Sequence, residues 1–326
     1  MNQDIFVLIE HLQGKVTDIS YLLLAQARLV AAVTGGKVKA LLLGFGASDL
    51  ARDLAADEVL YYAHPALAGF TAEAYLKVLA RLLAENPPRL LLVGDTSIGS
   101  DTAGGLSRRL GLPLVSQCLS IQPEGNSLKF TSQTCGGKIV VEGILPDQTT
   151  SLVAMLPGGV KAEAGKSSQA PGITEMPEPT LDGLRVTVKQ LIEPSGEDVD
   201  ISKEPLLVSV GRGIQQKENI ELAEELAQAM GAVVTGSRPI VDQGWLATTR
   251  LVGKSGKAVK PKLYLALGIS GAPEHVEAVT GSDMIVAINT DPTAPIFNLA
   301  KFGSTVDVLD LLPVLTEKIL QAKGAS

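Results

Sequence analysis

The chain has 326 residues, 45% of them hydrophobic and only 4% aromatic, and carries a formal net charge of −7. That length exceeds the commonest single-domain size and suits two domains. The acidic balance argues against a nucleic-acid binder, which would show a basic face, and no apolar run is long enough for direct membrane insertion. Plentiful Gly and Ala with few aromatics suit α/β layers, in which helices pack closely on a buried parallel sheet. The opening MNQDIFVLIE reads as a strand rather than a signal or transit peptide, so a cytoplasmic location is expected. Cys118 and Cys135 are too few for a four-ligand zinc site, and His11, His64 and His275 stand in no metal-binding spacing. Neither a metal site nor a disulfide is expected, and the thiols read as small core or surface residues.

The first half alternates strand and helix patterns. IFVLIE, VKALLLG, EVLYY and RLLLVG read as short buried strands. Between them, DISYLLLAQARLVAAV and TAEAYLKVLARLLAEN carry apolar residues at helical spacing. The second has Thr71 and Glu73 near its start and stops before Pro87-Pro88. This order implies a right-handed parallel sheet. VGDTSIGSDTAGG has strand–loop–helix character, but no GxxxxGK[ST] motif is present. It reads as a tight connection more readily than as an anion site, and Arg108-Arg109 as a solvated helix face.

After Gly111 the character changes. LVSQCLSIQ, SLKFTSQTC and GKIVVEGIL read as appended antiparallel strands, turning at Glu124-Gly125-Asn126 and Gly136-Gly137. From Pro157 to about Glu204 the chain is rich in Pro, Gly, Ser and acids, with one β-like run, LRVTVKQLI. EPSGEDVDISKEP is the linker candidate, which places a boundary near residue 200 and divides the chain into domains 1–199 and 200–326. The second domain reads as strand LLVSV, helix ENIELAEELAQAM, strands AVVTG and KLYLALG, a short helix from Ala272, strand MIVAIN and a closing helix VLDLLPVLTEKILQ.

Gly211-x-Gly213 follows a strand, but the third glycine is missing and no acid closes the next strand, so the NAD fingerprint is rejected. A different theme recurs at four strand ends. Arg212 follows the first, and Ser237 and Arg238 the second. Ser270, Gly271 and a new helix start follow the third, and Asn289 the fourth, with Asp291 beyond. In an open α/β sheet, ligands sit beyond the carboxyl ends of the strands, so these groups should converge on one crevice. Two arginines, hydroxyls, glycine amides and a helix start suit a pyrophosphate, and the small residues would let it approach the backbone. Singly, Gly271 reads as a turn glycine, Ser237 as a helix cap and Asn289 as an Asx turn. Together they favour a bound dinucleotide. His275, on the first turn of the short helix, is placed to serve a flavin at its N1/C2=O edge, and reads equally well as a solvated helix histidine.

The stretch from VGRG to GSTVD resembles the FAD domain of the electron transfer flavoprotein alpha subunit. The matching segments are VGRG, GSRPIVDQGW, VGKSG, LGISGAPEH, INTDPTAPIF and FGSTVD. FVLIE, AADEVL and DTAGGLSRRLG resemble that family's N-terminal domain more loosely. The resemblance implies a two-domain α/β fold: an N-terminal parallel-sheet domain with appended antiparallel strands, which meets a partner subunit, and a doubly wound C-terminal domain that binds FAD. It implies that Arg212, Ser237, Ser270 and Gly271 lie along the ribityl-pyrophosphate, with Asn289 and Asp307 toward the AMP half and Val308 also at the site. Arg238 would lie against the isoalloxazine, Ser255 at flavin N5 and His275 at flavin O2, with Val252, Gly253, Lys254, Ala272, Pro273 and Glu274 completing the site. The partners implied are a beta subunit in a heterodimer, a flavin-dependent dehydrogenase such as an acyl-CoA dehydrogenase, and a downstream redox acceptor.

Lys254 and Glu274 depart from the family pattern, which has glutamine at both positions. They are expected to form a compensating ion pair, since a lone charge buried beside the cofactor would cost several kcal/mol, roughly. The alternatives to a simple carrier are the FAD-binding subunit of an electron-bifurcating complex and a non-redox nucleotide-binding regulatory protein. The chain reads as an electron-carrier subunit rather than a stand-alone enzyme, because the cofactor carries the chemistry.

Overall fold

The computed structural model describes every residue except 1, 126, 136, 159, 191–198 and 325–326. The chain forms two compact units, Met1–Leu191 and Ile192–Ser326. Residues 193–198 of the expected linker lie outside the described part. Ile201 is already fully buried in the second unit, and the Asp200 carboxylate accepts a hydrogen bond from Lys257 Nζ at 2.7 Å.

The first unit runs β1 (Ile5–Leu8), β2 (His11–Leu12), β3 (Lys15–Val16), α1 (Asp18–Thr34), β4 (Val38–Gly44), β5 (Glu58–Ala63), α2 (Ala72–Glu85), β6 (Leu90–Gly94) and α3 (Ser97–Leu110). It continues with β7 (Leu114–Glu124), β8 (Ser127–Thr134), β9 (Ile139–Leu145), β10 (Ser151–Met155) and β11 (Gly172–Glu175). Apart from the β2–β3 ribbon, these strands form one sheet in the order β11-β5-β4-β1-β6-β10-β7-β8-β9. It is parallel from β11 to β7 and antiparallel through β8 and β9, as expected of the appended strands.

The central strands are apolar throughout because helices cover both faces. Ile5, Val7 and Ile9 pack with Leu24, Ala27 and Val30 of α1, whereas Phe6 and Leu8 share the other cluster with Leu79 of α2 and Leu106 of α3. At the start of α3 the Thr96 hydroxyl accepts the Gly99 N–H at 3.0 Å and donates to the buried Glu10 carboxylate at 2.8 Å. A Cβ on Gly99 would lie 1.9 Å from the Gly94 carbonyl oxygen, so the small residues of this connection serve packing.

Two strands of this sheet escape the sequence pattern, as do β2 and β3 of the separate ribbon, and one expected strand is absent. β10 inserts between β6 and β7, and β11 is a four-residue exposed edge with no apolar signal. The described part of LRVTVKQLI, residues 184–190, is not a strand. It is an unpaired strap in which the Arg185 N–H donates to Glu73 Oε2 at 2.8 Å. The alternation of Val186 and Val188 therefore reflects an extended strap, with Val188 against Gly69, rather than a ladder.

The second unit runs β12 (Leu206–Val210), α4 (Ile220–Met230), β13 (Val233–Gly236), α5 (Arg238–Asp242), β14 (Leu263–Leu267), α6 (Pro273–Glu277), β15 (Ile285–Ile288), β16 (Phe302–Ser304) and α7 (Val308–Gly324). Every element expected from the sequence is present, and α5 and β16 are additional. The sheet is parallel throughout, in the order β13-β12-β14-β15-β16. Leu226 of α4 and Leu312 of α7 pack on one face. Val252, Val259 and Val279, from the loops before and after α6, pack with Tyr264 on the other. No helix among the described residues is long and apolar enough to cross a membrane.

Candidate functional site

Strand order reverses between β12 and β14, because β13 lies on one side of β12 and the later strands on the other. The chains leaving β12 and β14 therefore diverge and open a crevice at their carboxyl ends. Backbone packing shapes its floor. The Gly211 N–H donates to the Leu267 carbonyl at 2.8 Å and the Gly213 N–H to the Gly268 carbonyl at 3.1 Å. A Cβ on Gly213 would lie 2.5 Å from Gly268 Cα, and one on Gly271, where φ is +85°, would lie 2.4 Å from the Ile296 nitrogen. These glycines are thus consumed by chain-on-chain contact. Small residues are needed here to close the two strand ends together, and Gly268 and Gly271 also border the cavity above them.

Above this floor is a cavity of about 440 Å³, within the range of small-molecule sites. Arg212, Ser237, Arg238, Val252, Gly253, Lys254, Ser255, Ser270, Gly271, Ala272, Glu274 and His275 line it, as expected from the sequence, together with Pro239, Leu251, Gly268 and Ile269. Pro273, Asn289, Asp307 and Val308 do not line it. Asn289 Nδ2 donates to the Ile269 carbonyl at 2.9 Å and supports the loop from behind. Asp307 Oδ1 accepts the Leu309 N–H at 2.9 Å as a cap of α7, and Val308 is core. Gln215 reaches toward Asp307 Oδ2 at 3.4 Å from a strained three-residue turn, with its φ at +71°. The helix start expected at Ala272 is α6, only five residues long, so it adds about one turn of dipole.

Arg238 opens α5 and is held from two sides. Its Nε donates to Asp242 Oδ1 at 2.8 Å and Oδ2 at 3.0 Å, and its Nη1 donates to Ser255 Oγ at 2.9 Å. Asp242 was not singled out in the sequence, although its i+4 spacing from Arg238 puts both on one helix face. Because Arg238 occupies a lone pair of Ser255, the serine proton remains available to an acceptor in the cavity.

His275 is buried in the cavity wall, with Nε2 2.8 Å from the hydroxyl of the fully buried Tyr264. Burial pushes its pKa down to about 4, against a smaller opposing effect from a hydrogen bond with the Val252 backbone. The reading as a solvated helix histidine is therefore wrong. A buried neutral imidazole costs stability when it must be charged. Between pH 6.5 and 4 the unfolded chain holds the proton and the folded one does not. The contribution of His275 is thus fully present above pH 6.5 and lost as pH falls through 4, by about 3 kcal/mol. Urea unfolding of wild type and His275→Leu across this window should show that slope only in the wild type.

The expected Lys254–Glu274 side-chain pair does not form. The Lys254 N–H donates to the Glu274 carbonyl at 2.9 Å, while its Nζ lies 3.7 Å from Glu277 Oε2, one helical turn further on. Lys254 is about half exposed, so the cost of burying a lone charge does not arise. A double-mutant cycle of Lys254→Gln with Glu277→Gln should show coupling of about 0.2–1 kcal/mol. The same cycle with Glu274→Gln should be additive within about 0.3–0.5 kcal/mol.

The cavity's chemistry divides in a useful way. Guanidiniums and hydroxyls from Arg212, Arg238, Ser237, Ser255 and Ser270 supply donors for an anionic or electron-rich group, and Pro239, Leu251, Val252 and Ile269 supply an apolar wall for a flat ring. That donor set fits a flavin nucleotide.

Comparison with known proteins agrees with this chemistry. Residues 200–280 match the model of the electron transfer flavoprotein FAD-binding domain, and residues 5–181 that of the electron transfer flavoprotein domain. The chain is 38% identical to Protein FixB of Clostridium saccharobutylicum, over 98% of this chain and 96% of that one. It is 35% identical to the electron transfer flavoprotein subunit alpha of Megasphaera elsdenii, over 98% and 97%. It is 32% identical to the LctC subunit of a lactate dehydrogenase (NAD(+),ferredoxin) from Acetobacterium woodii, over 97% of this chain and 76% of that one.

Proposed function

The chain belongs to the electron transfer flavoprotein alpha-subunit family, and on that premise we propose that its second unit holds one FAD in the switch-point cavity. Its role is that of an electron transfer flavoprotein alpha subunit, and the flavin-binding domain is the one matched at residues 200–280. The observation that carries the reading is Arg238, gripped by Asp242 and donating to Ser255 at the cavity wall. When bound, FAD supplies the electron chemistry by taking up and releasing electrons on its ring system.

The side chains do the rest. Arg238 places a permanent positive charge where electron density accumulates, fixed in advance by Asp242 so that it needs no reorganisation. Ser255 offers its hydroxyl proton to an acceptor, the role expected for it at flavin N5. Arg212, Ser237 and Ser270 suit the phosphates. His275, neutral and tied to Tyr264, adds shape without charge. No residue need act as nucleophile, acid or base.

Family membership implies a beta subunit beside this chain and electron exchange with a dehydrogenase. More finely, the proposed donor is a flavin-dependent dehydrogenase such as an acyl-CoA dehydrogenase, and a separate redox acceptor lies downstream. A second reading, a subunit of an electron-bifurcating complex, is favoured by the similarity to a subunit of a dehydrogenase named for both NAD(+) and ferredoxin.

The test is a visible spectrum of this chain, alone and co-expressed with its beta subunit, after exhaustive desalting. A flavin spectrum that bleaches on reduction, with one FAD per heterodimer, is the expected result. Two FAD per heterodimer would favour the bifurcating form. A colourless heterodimer that refuses added FAD would overturn the proposal in favour of a non-redox nucleotide-binding protein.

A further inference from the structure

Ser255 reaches the cavity from a loop, residues 251–257, that closes on itself. The Lys257 N–H donates to the Leu251 carbonyl at 2.9 Å, and the Gly253 N–H to the Lys257 carbonyl at 3.3 Å. Inside the loop the Gly256 N–H donates to the Gly253 carbonyl at 2.9 Å. A Cβ on Gly256 would lie 2.4 Å from the Leu251 carbonyl oxygen, so the two ends of the loop touch. Whatever fixes Lys257 therefore fixes the base on which Lys254 and Ser255 stand.

Its partner comes from the start of the second unit, 57 residues earlier in the chain. Lys257 Nζ donates to Asp200 Oδ1 at 2.7 Å, and the same oxygen accepts the Ser202 hydroxyl at 2.8 Å. Asp200 Oδ2 also lies 3.3 Å from Lys203 Nζ. The bonds from Lys257 and Ser202 hold the Asp200 carboxyl well below the ordinary carboxylate range, so it is ionised at neutral pH. The next residue, Ile201, is fully buried in the cluster that contains Val252, near the loop's start, and Val259, just beyond its end. Residues 200 and 201 thus grip the loop twice, once by charge and once by packing. Neither Asp200 nor Lys257 lines the cavity.

We propose that Asp200 and Lys257 are positioning residues for the flavin site: their bond fixes the loop that carries Ser255, and through Ser255 the Arg238 guanidinium that donates to it. The redox half of this proposal rests on FAD occupying the cavity; the loop half does not. The consequence is that the segment opening the second unit is tied to the hydroxyl proposed for flavin N5 without touching the cofactor itself.

The first measurement is amide hydrogen exchange in the full flavin-free chain, with Lys257→Met, Asp200→Asn and the two combined. In either single variant the Gly253, Gly256 and Lys257 amides should exchange about twofold to fivefold faster, the level at which a partly exposed ion pair contributes. The double variant should match the singles. The Ala232 amide, bonded to the Ala227 carbonyl at the end of α4, should be unchanged. Fluorescence of Trp245, the single tryptophan, checks that the second unit still folds. Unchanged loop exchange would overturn the proposal. So would a rise shared by Ala232, the mark of general destabilisation. A further rise on adding Asp200→Asn to Lys257→Met would do so too, because Asp200 would then act through Ser202 or Lys203.

The second measurement is the reduction equilibrium of the flavin-loaded heterodimer against a reference dye, in a cycle of Lys257→Met and Ser255→Ala. Lys257→Met should shift that equilibrium by about twofold or more when Ser255 is present, and not in the Ser255→Ala background, because residues in one network couple at this level. An equal shift in both backgrounds would show that the Lys257 charge acts on the flavin directly and would overturn the positioning role. A heterodimer that binds no flavin would overturn the functional reading and this redox half together, while the exchange rates would still decide the loop.

Discussion

Replacing Gly268 by alanine is expected to destabilise the second unit by about 2–5 kcal/mol, the sum of a left-handed backbone penalty and overpacking. Gly268 has φ +64°, and its added Cβ would lie 2.5 Å from Gly213 Cα and 2.8 Å from Gly213 nitrogen. Those are backbone atoms at the end of the neighbouring strand, so no rotamer change relieves the clash. Gly231 makes the control: its φ is +72° but nothing lies within 4 Å of its Cβ position, so alanine there should cost only about 1–2 kcal/mol. Urea unfolding followed at Trp245 reads both. Equal losses would mean that the strand ends are not packed as described. Because the same contact sets the cavity floor, Gly268→Ala should also lose flavin, whereas Gly231→Ala should keep it.

Replacing Arg238 by alanine should do the opposite, leaving the fold intact and emptying the site. Its side chain is mostly exposed and its ion pair with Asp242 is a surface one, so stability should change by less than about 1 kcal/mol. FAD affinity should fall about tenfold to a hundredfold, since a hydrogen bond from a charged donor contributes about 1.5–3 kcal/mol. Asp242→Asn should show a smaller loss of the same kind by loosening the guanidinium. Adding it to Arg238→Ala should cost nothing further, because Asp242 acts through Arg238. A double variant clearly weaker than Arg238→Ala would show that Asp242 has a separate role. Fluorescence titration with FAD, which is quenched on binding in many flavoproteins, or equilibrium dialysis would give the constants.

Much of the fold was legible because its signals are local. Buried parallel strands such as LYLAL and LLLVG are continuous apolar runs, and helices such as TAEAYLKVLARLLAEN carry their boundary residues with them. The strands missed were those whose identity depends on a neighbour. β11 is four exposed residues that become a strand only by pairing with β5, and residues 184–190 have the right alternation but pair with no strand among the described residues. The site shows the same divide. That Arg212, Ser237, Arg238, Ser270 and His275 belong together follows from their position after successive strands, since strand ends in a parallel sheet share one edge, whereas Ser255 was reached only through the family resemblance.

The sequence by itself determined two α/β layers, the strand ends that deliver the polar groups, and the resemblance that points to a flavin. Only the tertiary structure decided who holds whom. Lys254 brings its ammonium group to 3.7 Å from Glu277 Oε2, one helical turn beyond the expected Glu274. His275 turns inward because a tyrosine eleven residues earlier, on the central strand, offers a fixed hydroxyl. The glycines close backbone on backbone because β12 and β14 end side by side. Such choices depend on distances between segments far apart in sequence, which spacing and composition do not encode.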